Sequence, residues 1–192
     1  MARSEQPLAQ PAEGGVLVSG HLVSPPSRAY LASFWGGQFN TDAGMAFSKY
    51  KEILGPDGFP GKGPADGKIA SAGHADLAQL DESGESRWHA TAVSRDEPLE
   101  ATWSFAEALP TASFAYFLTN PSYRPGDVLR RALLEELPFA EVSQDSTTFL
   151  SHCIELPKDR AGRHVFLAIW NLADRDEAYY SVADLDIKPS EC

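Results

Sequence analysis

The chain has 192 residues, 43% of them hydrophobic, so it can bury one good core and is short for two full domains. Its net charge of -11 excludes nucleic acid and anionic membranes as favoured partners, because both would repel it at long range. No apolar run approaches the length that a membrane span needs.

Residues 1–20 are predicted to form a disordered or loosely tethered arm, and residues 21–192 a single β-sandwich domain. Residues 1–15 are rich in Ala, Gln, Glu, Pro and Gly and show no periodicity. A signal peptide needs an apolar middle of at least about seven residues, and only VLV at 16–18 resembles one. We therefore expect no Sec signal and a protein that is cytoplasmic or non-classically released. Two cysteines are too few for a disulfide scaffold, which also suits a reducing compartment.

The first landmark of the domain is a histidine shortly before a rigid turn. An opening strand is predicted over 16–23, and it carries His21. Pro25 and Pro26 each fix a φ angle, so the strand must turn sharply before Arg28. An imidazole in such a rigid position can bind a metal, but a lone histidine is more often structural. His21 therefore needs support from the rest of the chain.

Residues 32–73 contain no convincing strand, which predicts a long loop region inserted after the first strand. Thr41 or Asp42 can cap a short helix over 43–54, which GP at 55–56 would end. The insertion contains six aromatic residues among its glycines: Phe34, Trp35, Phe39, Phe47, Tyr50 and Phe59.

After residue 73 the pattern changes to period two, and six runs have the length and the β-branched and aromatic content of strands. They are 88–93, 99–105, 113–119, 148–156, 164–170 and 179–187. One helical segment, 128–137, interrupts them, with Asp127 as its N-cap. With the opening strand, these runs predict a mainly β fold: an antiparallel β-sandwich with a long loop-and-short-helix insertion after the first strand.

Short motifs follow one another along the chain in a recognisable order. HLVSPPSRAY at 21–30 precedes GFP at 58–60 and the unbroken run GPADGKIASAG at 63–73. LD at 80–81, RW at 87–88, TW at 102–103, YFLTNP at 116–121, PKDRAGRH at 157–164 and AD at 173–174 complete the series. In this order the motifs resemble the chitin-binding type-4 family, the bacterial lytic polysaccharide monooxygenases (LPMOs) of auxiliary activity family 10. The resemblance covers residues 21 to about 187, nearly the whole chain after the arm.

The resemblance implies a fibronectin/immunoglobulin-like sandwich with a large loop region between its first strands, in agreement with the predicted insertion. It also implies oxidative cleavage of chitin or cellulose at a single copper ion. In the family, an N-terminal histidine binds copper through its imidazole and its free amino group, and a second histidine completes the set. Nitrogen ligands of this kind suit Cu(II) in a tetragonal geometry.

Carried over position by position, this copper site is incomplete. His21 matches the first ligand, but its nitrogen forms a peptide bond with Gly20 and cannot bind copper as an amine does. Leu109 stands where the second histidine is expected. Tyr179 stands at the axial position, where the family usually has Phe.

The resemblance also implies disulfides that this sequence lacks. Ala32 and Ala140 stand where cysteines are expected, which leaves Cys153 without its partner. His74, which follows the loop signature, is an alternative partner for His21 in a rebuilt metal site.

Three functions remain open. The first, which we favour, is non-catalytic binding of chitin or another polysaccharide without a cofactor, since aromatic rings stack on sugar faces. The residues expected to contact the sugar are Trp35, Phe34, Phe39 and Tyr50. The second is a copper-dependent polysaccharide monooxygenase formed by cleavage after Gly20, where VSG at 18–20 offers small residues. The third is a protein-interaction or toxin-associated domain, because one fold can carry many unrelated sites.

Overall fold

The computed structural model describes residues 19–35, 49–145 and 149–189, and of residues 34 and 35 it describes the backbone alone. The predicted arm therefore lies outside the described residues, apart from its last two. The strands are β1 (Gly20–Ser24), β2 (Leu54–Pro56), β3 (Ala90–Ser94), β4 (Leu99–Phe105), β5 (Thr111–Leu118), β6 (Ala140–Val142), β7 (Phe149–Ile154), β8 (Gly162–Leu172) and β9 (Glu177–Lys188). The helices are α1 (Arg28–Trp35) and two 3-10 helices, Ala75–Asp81 and Arg131–Leu133. None of the helices in these ranges is long and apolar enough to cross a membrane.

The strands form two sheets. One is antiparallel and has the order β1-β4-β7, and the other has the order β2-β9-β8-β5-β6. β3 also pairs with β9, in parallel, so the antiparallel sandwich contains one parallel strand pair. The 12 residues of β9 pair with β2 near the start of the strand and with β3 near its end, so both short strands lie along one edge of β9.

The larger sheet is buried on both faces. Alternate residues of β8 and β9 point to opposite sides, one toward the three-stranded sheet and the other toward the insertion. The insertion and the 3-10 helix that follows it contribute Ile69, Leu77 and Leu80 to this second core, and all three are fully buried. The described part of the long loop region is therefore packed as a third layer, and a strand with two buried faces reads as a continuous apolar run.

The loop signature at 63–73 is held by bonds to its backbone. Asp81 accepts hydrogen bonds from the amides of Ala70 (2.9 Å) and Ser71 (3.1 Å) through one carboxylate oxygen. On the other side, Arg131 donates to the side chain of Asp66 (2.9 Å) and to the carbonyl of Pro60 (2.6 Å). The motif thus serves the architecture, because these bonds fix it to the two 3-10 helices.

All seven predicted strands are present, and the run at 99–105 matches β4 at both ends. The opening strand was predicted from residue 16, and residues 16–18 lie outside the described residues. β2 and β6 were not predicted, because they have three residues each and are too short to show an alternation.

The helix predicted over 128–137 is wrong: only the 3-10 turn Arg131–Leu133 forms there. The Asn120 side chain donates to the carbonyls of Ala132 (3.0 Å) and Leu134 (3.1 Å), which an α-helix would have used itself. Asp127 accepts a bond from the amide of Arg124 (2.9 Å) instead of capping a helix. Tertiary hydrogen bonds thus override local propensity.

The first half of the helix predicted over 43–54, residues 43–48, lies outside the described residues, and the predicted end is wrong because Leu54 belongs to β2. α1 was not predicted. Its signal is Ser27, whose Oγ accepts a hydrogen bond from the amide of Tyr30 (3.2 Å) in the manner of an N-cap. The proline turn before it forms as expected.

A buried ion pair fastens α1 to β9, and breaking it should destabilise the protein. Arg28 binds both carboxylate oxygens of Asp184, at 2.7 and 2.9 Å. Asp184→Ala leaves a buried guanidinium uncompensated, so we expect the free energy of unfolding in urea to fall by about 3–5 kcal/mol. Asp186→Ala, which removes a more exposed partner of Lys188 on the same strand, should lower it by less than about 1 kcal/mol. Equal losses would contradict the assignment.

Candidate functional site

His21 lies in β1 with only 4% of its surface exposed. Its neighbours Gly20 and Leu22 face the interior of the sandwich, so the imidazole points to the opposite side of the strand. There it packs against the ring of Tyr30 at 5.1 Å and edge-on against Tyr50 at 4.9 Å, measured between ring centroids. The two tyrosines enclose the imidazole.

The backbone around His21 is bonded along both edges of β1. On one edge Ser19 accepts a bond from the amide of Ala106 (2.9 Å), and His21 stands opposite Ser104 in the ladder. The alternation of an antiparallel ladder makes this a hydrogen-bonded pair. On the other edge the Gly20 amide donates to the carbonyl of Lys51 (3.2 Å) and the Leu22 amide to Ser181 Oγ (3.2 Å). The nitrogen that would serve as an amine ligand is here a peptide amide within a sheet.

Burial keeps His21 neutral. It lowers the pKa of the imidazole from 6.5 to about 4, and the positive charge of Lys51 acts in the same direction. Neutral imidazole is the form that binds metals, so the protonation state of His21 suits a metal ligand. The enclosure of its ring by Tyr30 and Tyr50, in contrast, does not suit a metal ligand.

The other two positions that the resemblance assigns to copper meet at Trp170. The ring of Tyr179 stacks on Trp170 at 5.0 Å, and burial raises the pKa of Tyr179 to about 12. Leu109 is half-buried against the same core, and its carbonyl accepts a bond from Thr111 Oγ1 (3.0 Å). That hydroxyl oxygen in turn accepts a bond from Trp170 Nε1 (2.9 Å).

Trp170 also explains Gly20. A Cβ at residue 20 would lie 2.5 Å from the indole ring, so only glycine fits. Packing against Trp170 therefore accounts for Gly20, the small residue that could otherwise mark a cleavage site. Trp170 was predicted to lie in a strand, but its central position among these packed residues was not predicted. No local sequence pattern shows which residues its ring contacts.

The remaining histidines have other surroundings. His74 is exposed, and its Nε2 lies 2.5 Å from the carbonyl of Leu54, in a cleft of about 370 Å³ shared with Asp176 and Glu177. His152 and His164 are buried and bonded to Tyr116 Oη (2.6 Å) and Thr119 Oγ1 (2.9 Å). Over the ranges that the structure covers, no three His, Cys, Asp or Glu side chains form a group that could hold a metal ion.

The structure describes only some of the residues that were predicted to contact a sugar. Tyr50 is half-buried against the second core, and the Lys51 ammonium lies 5.3 Å from its ring centroid. The side chains of Phe34 and Trp35 are not described, and Phe39 lies outside the described residues. The structure thus brings Tyr50 to His21 and leaves the other three as predictions.

Comparison with known sequences gives one family. Residues 20–185 match the family model described as lytic polysaccharide mono-oxygenase, cellulose-degrading. A lytic chitin monooxygenase from Enterococcus faecalis is 32% identical over 170 residues, which is 88% of this chain and 85% of that protein. GlcNAc-binding protein A from Yersinia enterocolitica is 29% identical over 177 residues, and the chain spans only 35% of that relative's length.

Solved structures of the same kind share the fold. An auxiliary activity family 10 LPMO from Photorhabdus luminescens superposes with a TM-score of 0.85 at 32% identity, covering 89% of this chain and 99% of that one. The catalytic domain of an LPMO from Listeria monocytogenes gives a TM-score of 0.80 at 34% identity, covering 88% and 99%.

Acidification should destabilise the protein in part through His21. The unfolded imidazole takes up a proton near pH 6.5, whereas the folded one resists protonation until about pH 4. Its contribution to stability is therefore complete above pH 6.5 and is lost as the pH falls toward 4. The His21→Gln variant should lose less free energy of unfolding between about pH 7.5 and 4.5 than the unchanged protein, measured in urea.

His89→Gln, which removes an exposed imidazole, is the control for this comparison. Only the difference beyond this control is assigned to His21. A His21→Gln variant with the same pH dependence as the unchanged protein would show that burial of this imidazole is not responsible.

Proposed function

The chain belongs to the lytic polysaccharide mono-oxygenase family, and on that premise we propose that it binds chitin or a related polysaccharide without oxidising it. Relatives named for GlcNAc binding and for chitin oxidation support a polymer of N-acetylglucosamine as the ligand. One observation carries the non-catalytic part: the imidazole of His21 is enclosed by two tyrosines on a strand whose backbone is already bonded.

The residues at the three copper positions do not fit the ion that the family binds. A copper ion held by two imidazoles and an amine needs three nitrogen donors, and each one contributes to affinity. In this chain Leu109 offers no donor, the nitrogen of His21 is an amide, and only the imidazole of His21 remains. These observations support a binding protein that works without a cofactor.

The alternative is a copper-dependent monooxygenase formed by cleavage after Gly20, and the names of the relatives favour it. Cleavage would free an amine at His21. It would also remove the Ser19 bond to Ala106 and the Gly20 bond to Lys51, each a net contribution of about 1 kcal/mol to stability. Leu109 would still lack a donor atom.

Retention on insoluble chitin tests the binding proposal. We expect the purified chain to remain on chitin beads, and Trp35→Ala to reduce retention by about fivefold or more, because a lost ring contact removes roughly 1 kcal/mol or more. Phe149→Ala removes an exposed ring from the three-stranded sheet and serves as the matched control with unchanged retention. A folded sample that stays on neither chitin nor cellulose would sink the proposal.

Copper titration tests the non-catalytic part of the proposal. Tryptophan fluorescence reports the binding, and we expect the unprocessed chain not to bind Cu(II) tightly. A chain that begins at His21 and carries Leu109→His should bind at least about a hundredfold more tightly, because it gains an amine and a second imidazole. Intact mass before the titration establishes whether residues 1–20 are present. Equal affinity of the two forms would mean that the unprocessed chain holds copper by other means.

A further inference from the structure

A second cleft lies at the other end of the sandwich from His21. It is bounded by the loops that follow β5 and those that precede β8, and its volume is about 690 Å³. Leu109 precedes β5, whereas Asn120, on the cleft wall, follows it. A strand of eight residues spans about 25 Å, so the cleft is remote from the copper positions.

The floor of this cleft is a fixed guanidinium. Arg160 is only 3% exposed, and its Nε donates to the carbonyl of Thr119 (3.0 Å). Its two other nitrogens form ion pairs with Glu135 and Asp159. The side chains of Glu135 and Asp159 are themselves exposed at the cleft.

The side chains at the cleft carry a net negative charge. One guanidinium is shared by two carboxylates, and Glu136 on the same wall adds a third acid. Arg131 also lines the cleft, but its positive charge is balanced by its ion pair with Asp66. Together with the net charge of -11, this surplus selects a cationic occupant.

The cleft also has an apolar wall. Leu137 is 75% exposed, the most of the three exposed large hydrophobic residues in the described ranges, and half-buried Phe139 lies beside it. Together the two side chains place an apolar patch beside the acidic residues of the cleft, and contact surfaces for proteins combine an apolar centre with a polar rim. A sugar would need an open aromatic face, and Phe139 is the sole ring on this wall.

We propose that this cleft binds a basic segment of a partner protein. A lysine or arginine of that segment lies against the carboxylates of Glu135, Glu136 and Asp159, and a neighbouring aliphatic side chain covers Leu137 and Phe139. The proposal is independent of polysaccharide binding, because it uses no residue of the His21 end.

The test is an NMR titration of the full chain with a defined probe, the tetrapeptide acetyl-Lys-Leu-Lys-Leu-amide. We expect saturable shifts of the amides of residues 134–139 and 157–160 at millimolar concentrations, weakened by salt. Leu137→Ser and Glu136→Lys should each weaken binding by about fivefold or more. Phe149→Ser and Glu107→Lys, an exposed apolar residue and an exposed acid at the opposite end of the sandwich, should leave it unchanged.

Three results would overturn the proposal. The first is an absence of shifts at the cleft up to about 20 mM peptide, a concentration that detects even weak contacts. The second is equal binding of acetyl-Glu-Leu-Glu-Leu-amide, since charge would then play no part. The third is binding of a glucosamine tetramer where the basic peptide fails, which would assign the cleft to a cationic sugar.

Discussion

The hydrogen bonds along both edges of β1 are the constraint from which the site follows. Because residues 19–22 are bonded to β4 on one side and to Lys51 and Ser181 on the other, the strand cannot rotate. Its alternation then fixes the directions of the side chains. Gly20 is placed under the Trp170 ring and His21 between two tyrosines.

Around Trp170 the protein has an apolar corner at positions that the family resemblance assigns to metal chemistry. Tyr179 stacks on the indole, Leu109 packs against the same core, and Thr111 satisfies the indole nitrogen. A metal site in a protein is polar, with deprotonated donors turned toward the ion. Here the side chains instead contribute buried apolar area, which stabilises the fold.

The motifs that carry the family resemblance survive because most of them support the architecture. Asp81 and Arg131 fix the loop signature, and the buried leucines after it close the second core over β8 and β9. Such contacts keep their role whatever ligand the protein binds. The same fold can therefore persist whatever site its chain carries.

By itself the sequence determined the sandwich, because alternation of apolar residues in seven runs is a local signal. It also predicted Leu109 and the peptide nitrogen of His21 at positions that the resemblance assigns to copper, and the loss of that site stays a prediction. Only the tertiary structure decided that residues 128–137 are not helical, because the Asn120 side chain binds carbonyls more than ten positions away. It also decided that β3 runs parallel to β9 and that Tyr30 and Tyr50 enclose His21. These features depend on contacts between distant residues, which no local pattern encodes.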